Sequence, residues 1–100
     1  MKIKISPQAE KELDESVEYY DAQKEGLGTE FAKEVNETFK RIKENPKQFP
    51  KEYKSMQKGR IARFSFNIFF VVKDVVGYIL GIFHSSRDPE IIKERYDRSK

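Results

Sequence analysis

The sequence predicts one α+β domain: an N-terminal strand, an antiparallel helix hairpin packed on a three-stranded antiparallel meander, and a short C-terminal helix. Three observations carry this reading. Phe64, Phe66, Ile68, Phe70 and Val72 recur at every second position, with Arg63, Ser65, Asn67 and Lys73 among and beside them, the period of a strand with one buried face. Before residue 45 the apolar residues instead recur at helical spacing, in two stretches parted by Gly26-Leu27-Gly28. The chain has 100 residues and no cysteine, enough for one domain with one core and no covalent staple.

The elements follow in order. Lys2 to Ile5 reads as a short strand with Ile3 and Ile5 on one face. Ser6-Pro7 opens the first helix, with Ser6 as N-cap and Pro7 at the first helical position, where a missing N–H costs nothing. Ala9, Leu13, Val17 and Tyr20 line one side, while Glu10, Glu12, Asp14, Glu15, Glu18 and Asp21 read as a solvated acidic face. The second helix is expected from about Thr29 to Glu44, with Phe31, Val35, Phe39 and Ile42 as its apolar stripe. Asn45-Pro46 stops it, because a residue before proline avoids the helical region. So short a turn lays the two helices side by side, and the sheet supplies the face that buries both stripes.

Pro46 to Tyr53 reads as a connector pinned by Phe49 and Tyr53, followed by meander strands over 53–64, up to Val72, and from Val75 to His84. The turns are expected around Ser65-Phe66-Asn67 and Asp74-Val75-Val76-Gly77. Phe69 and Val71 break the alternation, so the middle of the second strand is expected to be covered on both faces. Gly77 and Gly81 suggest a bulge or a close backbone approach in the third. Asp88-Pro89 repeats the N-cap and proline signal before a short helix that Ile91, Ile92 and Tyr96 would pack down.

Without cysteine there is no disulfide or thiolate chemistry, and one histidine among scattered carboxylates shows no metal-ligand spacing. No cofactor is implied. MKIKISP lacks the apolar run of a signal peptide, and Lys73 and Asp74 interrupt the longest apolar stretch well short of a membrane span. The expected location is the cytoplasm. The net charge of +3 is uneven: residues 1–46 carry eight Lys/Arg and eleven Asp/Glu, residues 47–100 twelve and six. Between Lys47 and Lys73 seven basic residues face one acidic residue, Glu52. Such a block attracts phosphate or an acidic partner; it also suits a solvated sheet edge whose lysines discourage aggregation.

The order of parts, carried by SPQAEKELDESVEYY, GLGTEF, ENP, RIARFSFNIFFVV and IFHSSRDPE, resembles the RelE/ParE superfamily of toxins from type II toxin–antitoxin systems, closest to its ParE-like, plasmid-stabilisation branch. The resemblance spans nearly the whole chain. It implies a growth-inhibiting toxin neutralised by a cognate antitoxin, and leaves a homodimer open. ParE-like members block DNA gyrase without cutting anything; RelE-like members cleave messenger RNA on the ribosome.

Metal-independent RNA cleavage needs a base for the 2′-OH, cations for the phosphorane charge and an acid for the leaving oxygen. Arg60, Arg63 and Arg87 offer cationic forks, His84 titrates in the useful range, and Tyr96 is the candidate acid. Each has a plain structural alternative. His84 can be hydrogen-bonded structure, Arg87 can pair or cap beside Asp88, and Tyr96 can be packing. Arg60 and Arg63 face opposite sides of any regular strand. FHSSRDPE also departs from the C-terminal motif of RelE-like nucleases. The expectation is therefore a ParE-like toxin acting by binding, with Lys54, Lys58, Arg60, Arg63 and Arg87 as partner-binding residues. The alternatives are a ribosome-dependent endoribonuclease or an inactive interaction domain of the same fold.

Overall fold

Every strand of the protein joins one sheet. The computed structural model describes residues 1–99. Its elements are β1 (Lys2–Ile5), α1 (Pro7–Gln23), α2 (Leu27–Glu44), β2 (Lys51–Tyr53), β3 (Met56–Ile61), β4 (Phe66–Lys73), β5 (Val76–His84) and α3 (Pro89–Arg98), with a single 3-10 turn at Pro46–Gln48. The sheet order is β1-β5-β4-β3-β2. β1 lies parallel to β5 and the remaining neighbours are antiparallel.

The expected α+β order holds, with three differences of detail. The connector contains an extra strand: after the 3-10 turn, Lys51 and Tyr53 pair with β3 across a register shift. Three residues next to a proline give too little alternation to read as a strand. α2 begins at Leu27, so Gly28 lies inside the helix rather than in the turn. There Gly28 N–H donates to Asp21 Oδ1 at 2.7 Å, and a Cβ would collide with Val17 O. Gly26 alone makes the turn, at φ 86°. Finally, the β3–β4 turn falls on residues 62–65 rather than at Ser65-Phe66-Asn67. Arg63 carries it at φ 71°, and Phe64 stays buried although it lies outside the strand.

Both helix starts form as their sequences suggest. Ser6 Oγ accepts from Ala9 N–H at 3.1 Å, and Asp88 Oδ1 accepts from Glu90 N–H at 3.0 Å.

The sheet is buried on both faces. Ala9, Phe31, Val35 and Ile42 of the hairpin pack on Ile61, Phe66, Ile68, Phe70, Ile79 and Ile82. Tyr20, Phe31, Phe64 and Phe66 make a ring cluster with centroid distances between 4.9 and 5.9 Å. On the other face Met56, Phe69, Leu80 and Phe83 are covered by Ile92 and Tyr96 of α3; Ile91 is only half-buried. Phe69 and Val71, the residues that break the alternation, belong to this second layer.

The β4–β5 register shifts between Phe69 and Phe70, where Gly81 and Ile79 are the successive partners, so Leu80 is bulged out. A Cβ on Gly81 would stand 2.9 Å from Ile92 and from Phe83, which is the close approach its glycine suggests.

Candidate functional site: grooves at the open end of β4 and β5

β1 ends beside Ile79, so the rest of β5, from Leu80 to His84, runs on without a strand on that side. Side chains take the strand's place. Glu12 Oε1 accepts from Ile82 N–H at 3.1 Å, and Arg95 Nη1 donates to Leu80 O at 2.8 Å. The same Arg95 forks onto Glu12 through two contacts of 3.0 Å, and Arg87 Nη1 adds a third at 2.9 Å. Glu12 and Arg95 side chains are each only 12% exposed. Glu12 therefore departs from the solvated acidic face to which its sequence assigned it, whereas Glu10, Asp14, Glu15, Glu18 and Asp21 are exposed. Its one sequence signal is position: it adjoins Leu13 and lies one turn beyond Ala9, at the boundary of the apolar stripe.

Arg87 does not pair with its neighbour Asp88, which caps α3; besides binding Glu12 it lies over the Phe83 ring, 4.6 Å from the centroid. His84 opposes Phe66 across the β4–β5 ladder, and their rings meet edge to face at 5.4 Å. The Ser86 amide reaches His84 Nδ1 at 3.0 Å and the Ser86 hydroxyl lies 2.7 Å away. Nδ1 is thus the acceptor, and a neutral ring carries its proton on Nε2. His84, Arg87, Tyr19 and Phe66 share a groove of about 190 Å³ with Glu12 and Glu15. Phe66 also borders a second groove, of about 220 Å³, lined by Lys58, Arg60, Ser65, Asn67 and Ser85. The structure therefore brings His84 next to Arg87 and Lys58 next to Arg60, with Phe66 between the two pairs.

The remaining candidates lie elsewhere. Arg63, in its turn, reaches α2 and pairs with Glu30 at 3.2 Å. Lys54 pairs with Asp97 of α3 at 3.1 Å, and Tyr53 donates to the same carboxylate at 3.0 Å. The hydrogen bond to Asp97, with a smaller one to Tyr53, holds the Lys54 ammonium above the usual lysine range. Tyr96 is buried edge-on against Tyr53, with centroids 5.7 Å apart. It borders a third groove, of about 380 Å³, together with Lys73 and Tyr78. Lys58 is tied to Glu52 at 3.3 Å. Of the five cations expected to bind a partner, Arg60 is the one with no carboxylate partner among the described residues.

Among the described residues no group of three or more acidic, histidine or cysteine side chains is placed to hold a metal ion. No helix among them is long and apolar enough to cross a membrane.

The family model described as "ParE toxin of type II toxin-antitoxin system, parDE" matches residues 3–89, that is, everything up to the start of α3. No curated protein sequence matches the chain. Among solved structures, the chromosomal ParDE toxin–antitoxin system from P. aeruginosa is similar in fold, with a TM-score of 0.74 at 22% identity over 84% of this chain and 95% of that one. With the family match covering most of its length, the chain belongs to the ParE toxin family of type II toxin–antitoxin systems.

Proposed function

We propose that this toxin arrests growth by binding and blocking a target, with DNA gyrase the target class, and that a cognate antitoxin neutralises it in the cytoplasm by binding. The observation that carries this reading is the dispersal of the groups catalysis would need. A metal-free cleavage site gathers base, acid and cations within hydrogen-bond reach of one phosphorus. Here His84 and Tyr96 line different grooves, Tyr96 is buried beneath Tyr53, and Arg63 is drawn off to Glu30 on the helix side.

The cations suit binding better. The pairs Lys54–Asp97, Lys58–Glu52 and Arg63–Glu30 keep between 33% and 57% of each side chain exposed. Exposed pairs of this kind are worth at most about 1 kcal/mol each, so a partner's carboxylates can replace Asp97, Glu52 and Glu30 at small cost. Arg60 needs no exchange at all. The solved ParDE system of similar fold supports an antitoxin as that partner.

The test is induced expression in bacteria with plasmid topology and transcript ends read in parallel. Loss of negative supercoiling with intact transcripts is the expected result. Cuts at codon positions on ribosome-bound messages would instead establish the endoribonuclease reading, for which the His84–Arg87 groove beside Lys58 and Arg60 is the supporting geometry.

A further inference from the structure

The groove that Lys58, Arg60, Ser65, Asn67 and Ser85 form beside Phe66 is walled by hydrogen-bond donors, and no carboxylate lines it. Lys58 and Arg60 are two apart on β3 and so share one face of the sheet. Arg60 is paired with Asn67 across the β3–β4 ladder. Ser85 N–H donates to Ser65 C=O at 2.8 Å, which fastens the two serines together past the strand ends. Among the described residues, the side chains of Arg60, Ser65, Asn67 and Ser85 form no hydrogen bond or ion pair within the chain. Lys58 alone is engaged, in its partly exposed pair with Glu52.

The other grooves lack this combination. The one shared by His84 and Arg87 contains Glu12 and Glu15. The one beside Tyr96 has a single cation, Lys73. A fourth, of about 300 Å³ where α1 starts beside α3, holds Arg95 and Arg98, but Arg95 is spent on Glu12. Two cations, two hydroxyls and an amide around one opening are the residue types that contact phosphate and sugar oxygens along a DNA backbone. A guanidinium fork matches two phosphate oxygens at once. None of the five polar side chains titrates near neutral pH, so a phosphate held there stays intact. Arg63 follows in the adjoining turn and Arg87 lies across Phe66, both partly exposed, where a strand would bring its next phosphates.

We infer that this groove holds a backbone phosphate of DNA while the toxin occupies its target. Arg60 and Lys58 take the charged oxygens, and Ser65, Asn67 and Ser85 the neighbouring ones. The inference rests on the reading that the target is a DNA-handling enzyme of the gyrase class. It deepens that reading, since the toxin then grips the target's DNA as well as its protein surface. At Arg60 the phosphate and an antitoxin carboxylate exclude one another.

The probe is a short fluorescent DNA duplex, titrated with the purified toxin across a salt series and read by anisotropy. Arg60→Gln and Asn67→Asp, the second placing a carboxylate of equal size in the groove, should each weaken binding by roughly fivefold. Arg60→Gln should also lower the slope of log affinity against log salt by about 1. Lys47→Gln removes an equal charge from the connector outside the groove and should change affinity less than about twofold. Duplex binding that neither groove variant weakens, or that Lys47→Gln weakens as much, overturns the inference; loss of supercoiling on expression would still support the target reading. Inorganic phosphate, compared with chloride at equal ionic strength, tests the other source of the same group. If it fills the groove and the duplex binds no more tightly, the site belongs to free phosphate and the assignment to DNA falls. A single-stranded RNA bound more tightly than the duplex overturns it too, and codon-position cuts on expression overturn the target reading together with it.

Discussion

Glu12 on α1 and Arg95 on α3 lie 83 residues apart in sequence and meet through two parallel contacts, each of 3.0 Å, with both side chains nearly buried. This fork joins the helix hairpin to the C-terminal helix across the strand-free side of β5, where it also satisfies Ile82 N–H and Leu80 C=O. Removing one partner of a buried pair leaves the other uncompensated and costs several kcal/mol.

Glu12→Ala is therefore expected to destabilise the fold by about 3 kcal/mol in urea unfolding. Asp14→Ala, exposed on the same helix, should stay within about 0.5 kcal/mol. A double-mutant cycle with Arg95→Met isolates the pair, and a coupling near zero would show that the fork adds nothing to the docking of α3 by Ile92, Tyr96 and the Asp97 contacts.

The helix turn yields a contrast between two glycines. A methyl at Gly28 would overlap Val17 O and come within 2.7 Å of the Asp21 carboxyl, while nothing stands within 4 Å of the Cβ position at Gly26. Gly28→Ala must push α1 and α2 apart and should cost about 3 kcal/mol, as overpacking does at the upper end of its usual range. Gly26→Ala meets only the left-handed backbone at φ 86° and should cost about 1 kcal/mol. Thermal unfolding of the two variants gives the order; equal losses would mean that the hairpin contact is soft.

How much of this was legible beforehand follows from how local each signal is. The second layer over Phe69 and Val71 was readable, because a broken alternation is a property of neighbouring residues. The helix starts at Ser6-Pro7 and Asp88-Pro89 were readable for the same reason. Glu12 was not. Among six carboxylates on one helix, only its position at the edge of the apolar stripe distinguished it, and its partners Arg87 and Arg95 come together only when α3 docks. The site residues divided in the same way. His84 and Arg87 share a groove because one strand end holds both, whereas Arg63 left the meander when the turn settled on residues 62–65. Phe64 supplied the apolar period that placed the turn too late, and it is buried from within the loop.

Alkaline pH provides a third test. Burial, and secondarily the neighbouring Tyr19, raises the Tyr20 phenol above its ordinary value of 10.0. The Lys54 ammonium is likewise raised by Asp97. In both cases the folded chain holds the proton more firmly than the unfolded chain, so stability is unaffected below the ordinary values and declines as pH climbs through the raised ones. The melting temperature is expected to level off up to about pH 9.5 and to fall beyond it. Tyr20→Phe should flatten the decline, and Lys54→Met should flatten the remainder. A decline that neither variant alters would place its origin in other groups.

The mode of action makes the sharpest prediction. If the toxin works by occupying its target, no proton need move, and the titrating groups at the grooves are expendable. His84→Gln keeps a hydrogen-bonding side chain beside Ser86 while removing the imidazole. Tyr96→Phe keeps the ring against Tyr53 while removing the hydroxyl. Each variant, and the two combined, should arrest growth at inducer levels within about threefold of the unmutated chain, since losing a general acid or base matters only where proton transfer limits the rate, and there it costs about a hundredfold or more. The readout is the inducer titration of growth arrest, with unchanged thermal unfolding confirming that each variant is folded. A hundredfold loss of potency in a folded variant that still binds its antitoxin would show that His84 and Tyr96 act across one phosphorus after all, and would replace target blocking with RNA cleavage.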